Sequence, residues 1–367
     1  FSVRKSEKSF NSEFGVPFTI LGVENPWNNL LAWLKIVKSS FALLVLPNHY
    51  PNMLVLETGA DRPRDLTRIL KIATPDMAVV TCLPEISVHV EAYTCPEAVR
   101  EEEFSPAHAL QASAPLIVCA DDSYSLDNAV RTSAHVISYG FSDVSDVRIK
   151  NADFLVKEGI VTGMQADVNV GSENGKFLVK GSVGETQLLP LAAAIAAGRA
   201  FGIPLSKTLK ALEKYEPPPG RGRLLSGRNG SIIIDDSYNS SPAAVGKALT
   251  TLKVFPCAKR RVAILGDMLE LGRYSVMEHG RIAELAADSA DVIVSVGVRA
   301  RAFASGLSFC DSKEAVVVLP NFVQSGDVIL VKGSQSIRME RIVEALLANP
   351  ADSSKLVRQE KAWKRKP

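Results

Sequence analysis

The chain has 367 residues, 46% apolar and 22% charged, enough for two or three globular domains with buried cores. Its 42 basic and 40 acidic residues leave a formal charge of +2, too little for a nucleic-acid backbone or an anionic membrane to be the main partner. Cys82, Cys95, Cys119, Cys257 and Cys310 are scattered with no CxxC pair, which disfavours a zinc site and a disulfide framework and fits a reducing cytoplasm.

The first residue is Phe1, and the residues after it read as the middle of a domain, so upstream sequence is expected. Residues 30–46 are apolar but interrupted by Lys35, Lys38, Ser39 and Ser40, which argues against a membrane span. Leu30, Trp33, Leu34, Val37, Phe41 and Leu44 recur at helical spacing and give one sticky face. Packing against the domain is the first expectation for that face, and contact with a membrane surface or a partner the second.

Short β-branched runs at 53–57, 77–81 and 116–119 alternate with helical patterns near 64–72 and 96–111, the rhythm of a parallel α/β sheet. From 147 to 183 short alternating segments separated by Gly159, Gly163, Gly171 and Gly175 predict antiparallel hairpins at its edge. Helices at 188–201 and 206–214 lead to Pro217, Pro218, Pro219 and Gly220, which cannot continue a helix and predict a stiff linker. Beyond it, strands at 231–235, 261–265, 291–296 and 328–331 alternate with helices in a second, Rossmann-like sheet. The expected division is 1–216, 217–349 and a solvated basic tail over 350–367, carrying Lys355, Arg358, Lys361, Lys364, Arg365 and Lys366.

Chemistry concentrates at strand ends. Asp235-Asp236-Ser237-Tyr238-Asn239 closes one strand of the second sheet, and carboxylates at the carboxyl end of a parallel strand lie where such sheets bind ligands. A helix cap and a turn would explain one aspartate but not the run. A second strand ends in Gly266-Asp267-Met268-Leu269-Glu270-Leu271-Gly272 and a third in Lys332-Gly333-Ser334. Lys332 is either a neutralising cation for an anionic substrate or a surface lysine. In the first domain Glu57 ends a strand that reads as buried, where a carboxylate needs a metal or a cation beside it. His89 and Glu91 follow the next strand, and the three together predict a magnesium or nucleotide site, a structural histidine being the plainer reading of His89 alone.

In order and spacing, Gly220-Arg221 after the prolines, DDSYN, GDMLELG and KGS resemble the carboxy-terminal domain of the Mur ligases. Upstream, the stretch from Asn11 to Thr19 resembles the segment shortly after that family's phosphate loop, and Glu57-Thr58-Gly59-Ala60 its metal-binding glutamate strand. The resemblance covers nearly the whole chain except residues 30–46 and the tail, and DDSYN with GDMLELG points to the member that adds D-alanyl-D-alanine. It implies a central ATPase domain followed by a Rossmann-like domain, in a monomeric cytoplasmic enzyme of peptidoglycan precursor synthesis. Its implied cofactors are ATP and Mg2+, and its partners a UDP-N-acetylmuramoyl peptide and D-alanyl-D-alanine. The γ-phosphate would pass to a peptide carboxylate, and an amine would then attack the acyl phosphate.

By the same resemblance Glu57 would hold the magnesium that bridges the β- and γ-phosphates, and His89 a second magnesium near the acceptor carboxylate. Arg221 would approach the ATP phosphates, Asp236 would bind the ribose, and Asn239 and Lys332 would line the crevice. Glu103 stands where the family usually has a carbamylated lysine and would supply its negative charge, an exposed acidic helix face being the alternative. Cys119 stands in place of an asparagine, and Thr186-Gln187 in place of a histidine-asparagine pair. A glycine-rich loop ending in GKT or GKS is absent from these residues, and the uridine-binding domain with it. Weak ATP binding and little hydrolysis are therefore expected of this polypeptide by itself. A non-catalytic binding or scaffolding homologue is the rival reading; a dinucleotide-dependent oxidoreductase would need a GxGxxG that is not present, and DDSYN followed by GDMLELG argues against a folate-polyglutamate ligase.

Overall fold

The computed structural model describes residues 2–6, 9–303 and 306–364, the side chains of 361 and 362 excepted. Arg365 and Lys366 of the basic run, and the side chain of Lys361, therefore lie outside the described residues.

Two short strands, β1 (Val3–Lys5) and β2 (Met53–Val55), form a parallel pair of their own. Helices α1 (Gly15–Leu21) and α2 (Leu30–Val45) lie between them in sequence, and α3 (Asp65–Ile72) follows. The strand expected over 53–57 thus stops at Val55 and pairs with β1 rather than with the large sheet. Beyond it the Glu57 N–H turns to Ser6 Oγ at 3.3 Å, and Glu57 is exposed rather than the end of a buried strand.

The first large sheet is built from β3 (Ala78–Val80), β4 (Pro115–Cys119), β5 (His135–Gly140), β6 (Val147–Lys157), β7 (Ile160–Val170) and β8 (Glu173–Lys180), adjacent in that order. β3 to β6 run parallel and β6 to β8 antiparallel. The sequence dictates the difference. β4 is a continuous apolar run and is buried over Leu116 to Cys119, as a strand covered on both faces must be, whereas β7 largely alternates buried and partly exposed residues. Helices α4 (Pro96–His108), α5 (Ser123–Ala129), α6 (Leu189–Ala200) and α7 (Leu205–Leu212) complete this half.

The second sheet has the order β13-β12-β11-β14-β10-β9, formed by β9 (Arg223–Ser226), β10 (Ile232–Asp236), β11 (Arg260–Gly266), β12 (Val292–Val296), β13 (Leu307–Phe309) and β14 (Asp327–Lys332). Only β9 runs antiparallel. Its helices are α8 (Pro242–Lys253), α9 (Ser275–Ser289), α10 (Ser312–Phe322) and α11 (Glu340–Leu346). α8 starts directly after the DDSYN run because Ser241 Oγ accepts the Ala244 N–H at 3.3 Å and Pro242 occupies the first turn.

The expected linker is laid against the first domain. Val183 N–H donates to Gly222 O and Leu224 N–H to Gly181 O, both at 2.9 Å. Buried residues of the two halves also form one continuous apolar cluster, from Ile149 and Leu191 to Leu252 and Leu265, with the Phe154 and Phe255 rings 5.2 Å apart. The prolines set a crossing, and this shared core fixes it.

Two expectations are corrected here. The tail is not wholly solvated: Leu356, Val357 and Arg358 are buried, because the Arg358 guanidinium meets the buried Glu340 carboxylate at 3.0 Å and a charge can be buried when paired. The sticky face of α2 does not pack against the domain: no residue of this helix is buried, and Leu30, Leu34, Val37, Phe41 and Leu44 stay exposed.

Candidate functional site

The three strand ends expected to converge do so by register. Asp236 lies opposite Lys332, and Lys332 opposite Leu265, one residue before Gly266-Asp267. Lys332 is fully buried at 1% exposure, which excludes the surface-lysine reading. Its ammonium donates to Asp236 Oδ2 at 2.7 Å and to Asn239 O at 3.0 Å. It therefore ties β14 to the loop after β10. Ser334 does the same for the next strand end: its N–H donates to Asp267 O at 3.0 Å, and its Oγ accepts the Leu269 N–H at 2.9 Å.

Asp235 is fully buried, with Oδ1 bound to the Ser237 hydroxyl at 2.6 Å and Oδ2 without a partner among the described residues. Burial pushes its carboxyl up from 3.8 to about 6, against the pull of Ser237, with Asp236 and Glu340 adding repulsion. The folded state then holds a proton that the unfolded chain releases at lower pH, so the stability this group contributes is fully present below about pH 3.8 and is lost as pH rises to about 6. A gap from 3.8 to about 6 corresponds to roughly 3 kcal/mol. Urea unfolding of Asp235→Asn, compared with the parent at pH 4 and pH 7, should show this decline in the parent and a much flatter profile in the variant; equal slopes would place the titration elsewhere.

Tyr238 is a junction. The Arg221 guanidinium lies 4.1 Å from its ring centroid, its hydroxyl meets Ser9 Oγ at 2.7 Å, and the buried Arg358 donates to its carbonyl and to that of Ser237. Ser9 leads into Asn11, whose carbonyl accepts the Gly59 N–H at 3.1 Å. The stretches beginning at Asn11 and at Glu57 are thereby brought together beside the second domain. Partial burial raises the Glu57 carboxyl, and the Arg221 cation opposes the rise.

His89 lies on the seam between the halves. Its Nδ1 meets Glu270 Oε2 at 2.8 Å and its Nε2 meets Asp61 Oδ1 at 3.4 Å. The hydrogen bond to Glu270 raises the imidazole's affinity for its proton, burial opposes this, and Glu270, Asp61 and Glu103 add attraction. Both partners carry left-handed backbone, φ 67° at His89 and 64° at Glu270, a conformation that costs a side chain free energy and that clusters at functional sites. Gly272 lets the chains approach: a Cβ on it would lie 2.9 Å from the Glu91 Cβ. A cavity of about 560 Å³ opens in this seam, lined by Asp61, Arg62, His89, Glu91, Ala92 and Glu270.

Glu103 faces His89 electrostatically; burial raises its carboxyl and His89 lowers it. The neighbouring Glu102 accepts the Arg64 and Leu66 N–H groups at 3.0 Å each and so closes the start of α3. The acidic run thus divides its work between a structural glutamate and one whose charge acts on His89.

Among the described residues no three His, Cys, Asp or Glu side chains converge as a metal's ligands. Glu57, His89 and Glu103 are therefore not gathered into one cage. Magnesium takes one or two carboxylates with phosphate oxygens and water. The exposed Glu57 suits that role, whereas His89, with both ring nitrogens engaged, does not suit it in this arrangement. Cys119 is fully buried at the end of β4, so its side chain is not open to a ligand.

Sequence reasoning missed Asp61, Glu102, Glu340 and the buried role of Arg358. Glu270 stood inside the GDMLELG run without an assigned partner. Its place two residues before Gly272 was the available signal, since a turn there points the carboxylate away from the strand.

Residues 220–335 match the Mur ligase, glutamate ligase domain. The UDP-N-acetylmuramoyl-tripeptide--D-alanyl-D-alanine ligase of Bacillus subtilis is 25% identical over 369 residues, 95% of this chain and 71% of that protein. The Escherichia coli ligase of the same name is 28% identical over 313 residues, 80% of this chain and 65% of that protein. A solved structure, the MurF ligase of Thermotoga maritima in complex with ADP, superimposes with a TM-score of 0.76 at 25% identity, over 94% of this chain and 73% of that one.

Proposed function

We propose that this chain is a member of the Mur ligase family and carries the acceptor-side machinery of an ATP-dependent ligase that joins D-alanyl-D-alanine to a UDP-N-acetylmuramoyl peptide, a reaction that also needs a phosphate-binding loop not found among these residues. The observation that carries the reading is the register of β10, β14 and β11, which sets the DDSYN, KGS and GDMLELG strand ends side by side, with Glu270 of the last meeting His89 of the first half. The Bacillus subtilis and Escherichia coli relatives carry the same chemistry in their names.

In this reading the γ-phosphate of ATP moves to the peptide carboxylate, leaving ADP and an acyl phosphate. The amine of D-alanyl-D-alanine then attacks the acyl carbon and expels phosphate. Both steps depend on positioning and charge neutralisation. Arg221, stacked on Tyr238, supplies a cation to the phosphates. Asp236 keeps Oδ1 for a ribose hydroxyl while Lys332 holds Oδ2. Lys332 itself acts as a positioning residue, because its ammonium is spent on Asp236 and on the Asn239 carbonyl. Magnesium, when bound at Glu57, would neutralise phosphate charge.

The test is phosphate release by the protein produced from its native gene. Release that requires ATP, the UDP-muramoyl tripeptide and D-alanyl-D-alanine together supports the reading. Turnover only with glutamate and folate would overturn the substrate, and nucleotide-peptide binding without turnover would favour the scaffolding reading.

A further prediction concerns Glu103. Because Glu103 already supplies negative charge that acts on His89, activity should be indifferent to bicarbonate. Glu103→Gln should raise the magnesium concentration needed for half-maximal rate by roughly tenfold, and Glu103→Lys should regain activity only with bicarbonate. A parent-like Glu103→Gln at limiting magnesium would leave Glu103 as part of an ordinary acidic helix face.

A further inference from the structure

Helix α2 is well made and has no cover. Asn29 Oδ1 accepts the Ala32 N–H at 3.1 Å at its start, and Asn48 Nδ2 donates to Leu43 O and Leu46 O at 2.9 and 3.0 Å at its end. One side, with Ala32, Ile36, Ser40 and Leu43, is half-covered by the protein, and Trp33 reaches Phe18 with ring centroids 5.9 Å apart. The other side presents Leu30, Leu34, Val37, Phe41 and Leu44 to solvent, Leu44 at 84% exposure. Sixteen residues at about 1.5 Å each make an apolar stripe about 24 Å long. A stripe of this extent marks a contact surface.

The charges around it select the occupant. Lys35 and Lys38 are exposed on the flank of the stripe, and no acidic residue stands between Glu24 and Glu57. Two copies meeting through this face would bring lysines together with no carboxylate of the segment to pair them. An anionic bilayer surface answers both features: its acyl boundary takes the apolar stripe, and its headgroups take lysines whose stems lie along the apolar surface. The aromatic side chains bracket the helix in the same sense, with Trp27 exposed before it and Tyr50 after it, the residue types that settle at a membrane interface. Among the described residues no helix is long and apolar enough to cross a membrane, so the geometry is that of a helix lying in the surface plane. The chain's small net charge does not oppose this, because the attraction is local to residues 25–56 and decays within a Debye length.

We propose that α2 docks this protein reversibly onto an anionic lipid surface, independently of the ligase reading. The experiment is co-sedimentation of the full chain with vesicles of phosphatidylglycerol and phosphatidylcholine against phosphatidylcholine alone, at low and high salt. Binding is expected to the mixed vesicles, to weaken with salt, and to shift tryptophan emission to the blue in a Trp363→Phe background, where only Trp27 and Trp33 report. Leu34→Glu with Phe41→Glu, and separately Lys35→Glu with Lys38→Glu, should each weaken partitioning by at least about tenfold. Because these four side chains are exposed, circular dichroism and thermal unfolding should match the parent. Failure to bind mixed vesicles would overturn the proposal, as would parent-like binding by either folded double variant. A dimer in light scattering that Leu34→Glu with Phe41→Glu converts to a monomer would also overturn it and assign the face to a second copy.

Discussion

Lys332→Ala should lower the unfolding free energy by roughly 3–5 kcal/mol, the largest stability loss expected of any single polar substitution at the site. The lysine is fully buried between β10 and β11, with its ammonium on the Asp236 carboxylate and the Asn239 carbonyl. Truncation leaves Asp236, itself only 16% exposed, without its cation, while the carbonyl loses a charged donor. Asp235 beside it is already destabilised by burial and by the repulsion of Asp236, so the pocket has little capacity for another uncompensated charge.

A double-mutant cycle separates pairing from packing. Lys332→Met retains most of the volume, and adding Asp236→Asn removes the stranded charge. The double variant should recover a large part of the loss measured for Lys332→Met alone by urea unfolding, since replacing both members of a buried pair is far less costly than removing one. Simple additivity of the two single losses would mean that Lys332 contributes packing rather than charge. The same variants bear on function: if Lys332 acts on the nucleotide only by positioning Asp236, Asp236→Asn should cost nucleotide affinity in the parent but little more once Lys332→Met is already present.

What the sequence made legible rests on periodicity and on strand ends. The alternation of β-branched runs with helices foretold both sheets, and the hairpins from β6 to β8 were announced by glycines and alternating burial. Short edge strands were not. β9 and β13 span four and three residues, too few to show a period, and β1 exists because β2 offers it a ladder. The DDSYN, GDMLELG and KGS runs do end neighbouring strands side by side, and polar residues ending apolar strands have few other reasons to be there. Partner choice was beyond reach: nothing in Lys355, Arg358 or Lys364 distinguishes the arginine that enters Glu340 from lysines that stay in water. Only the fold, which places Glu340 at the start of α11 under that segment, selects Arg358. Likewise the acidic run in α4 could not show that Glu102 caps α3 while the charge of Glu103 acts on His89.

If Glu57 holds magnesium as proposed, Glu57→Ala in the protein produced from its native gene should reduce turnover at least roughly 100-fold, as loss of a direct metal contact must exceed the loss seen for outer-shell groups, while leaving thermal unfolding near that of the parent. The second half of this expectation comes from position: Glu57 is exposed, two residues past the end of β2, and among the described residues only its backbone N–H is tied, to Ser6. The first half comes from charge. A carboxylate placed here, partly desolvated and facing the Arg221 cation, either holds a magnesium beside the phosphates or merely pairs with the arginine. The two roles separate by experiment. If Glu57 holds magnesium, Glu57→Asp should retain part of the rate with a raised magnesium requirement, and Arg221→Ala should weaken nucleotide affinity without changing that requirement. If the residue only pairs with Arg221, Glu57→Ala and Arg221→Ala should have similar small effects at every magnesium concentration. Unchanged turnover in Glu57→Ala would remove Glu57 from the site altogether.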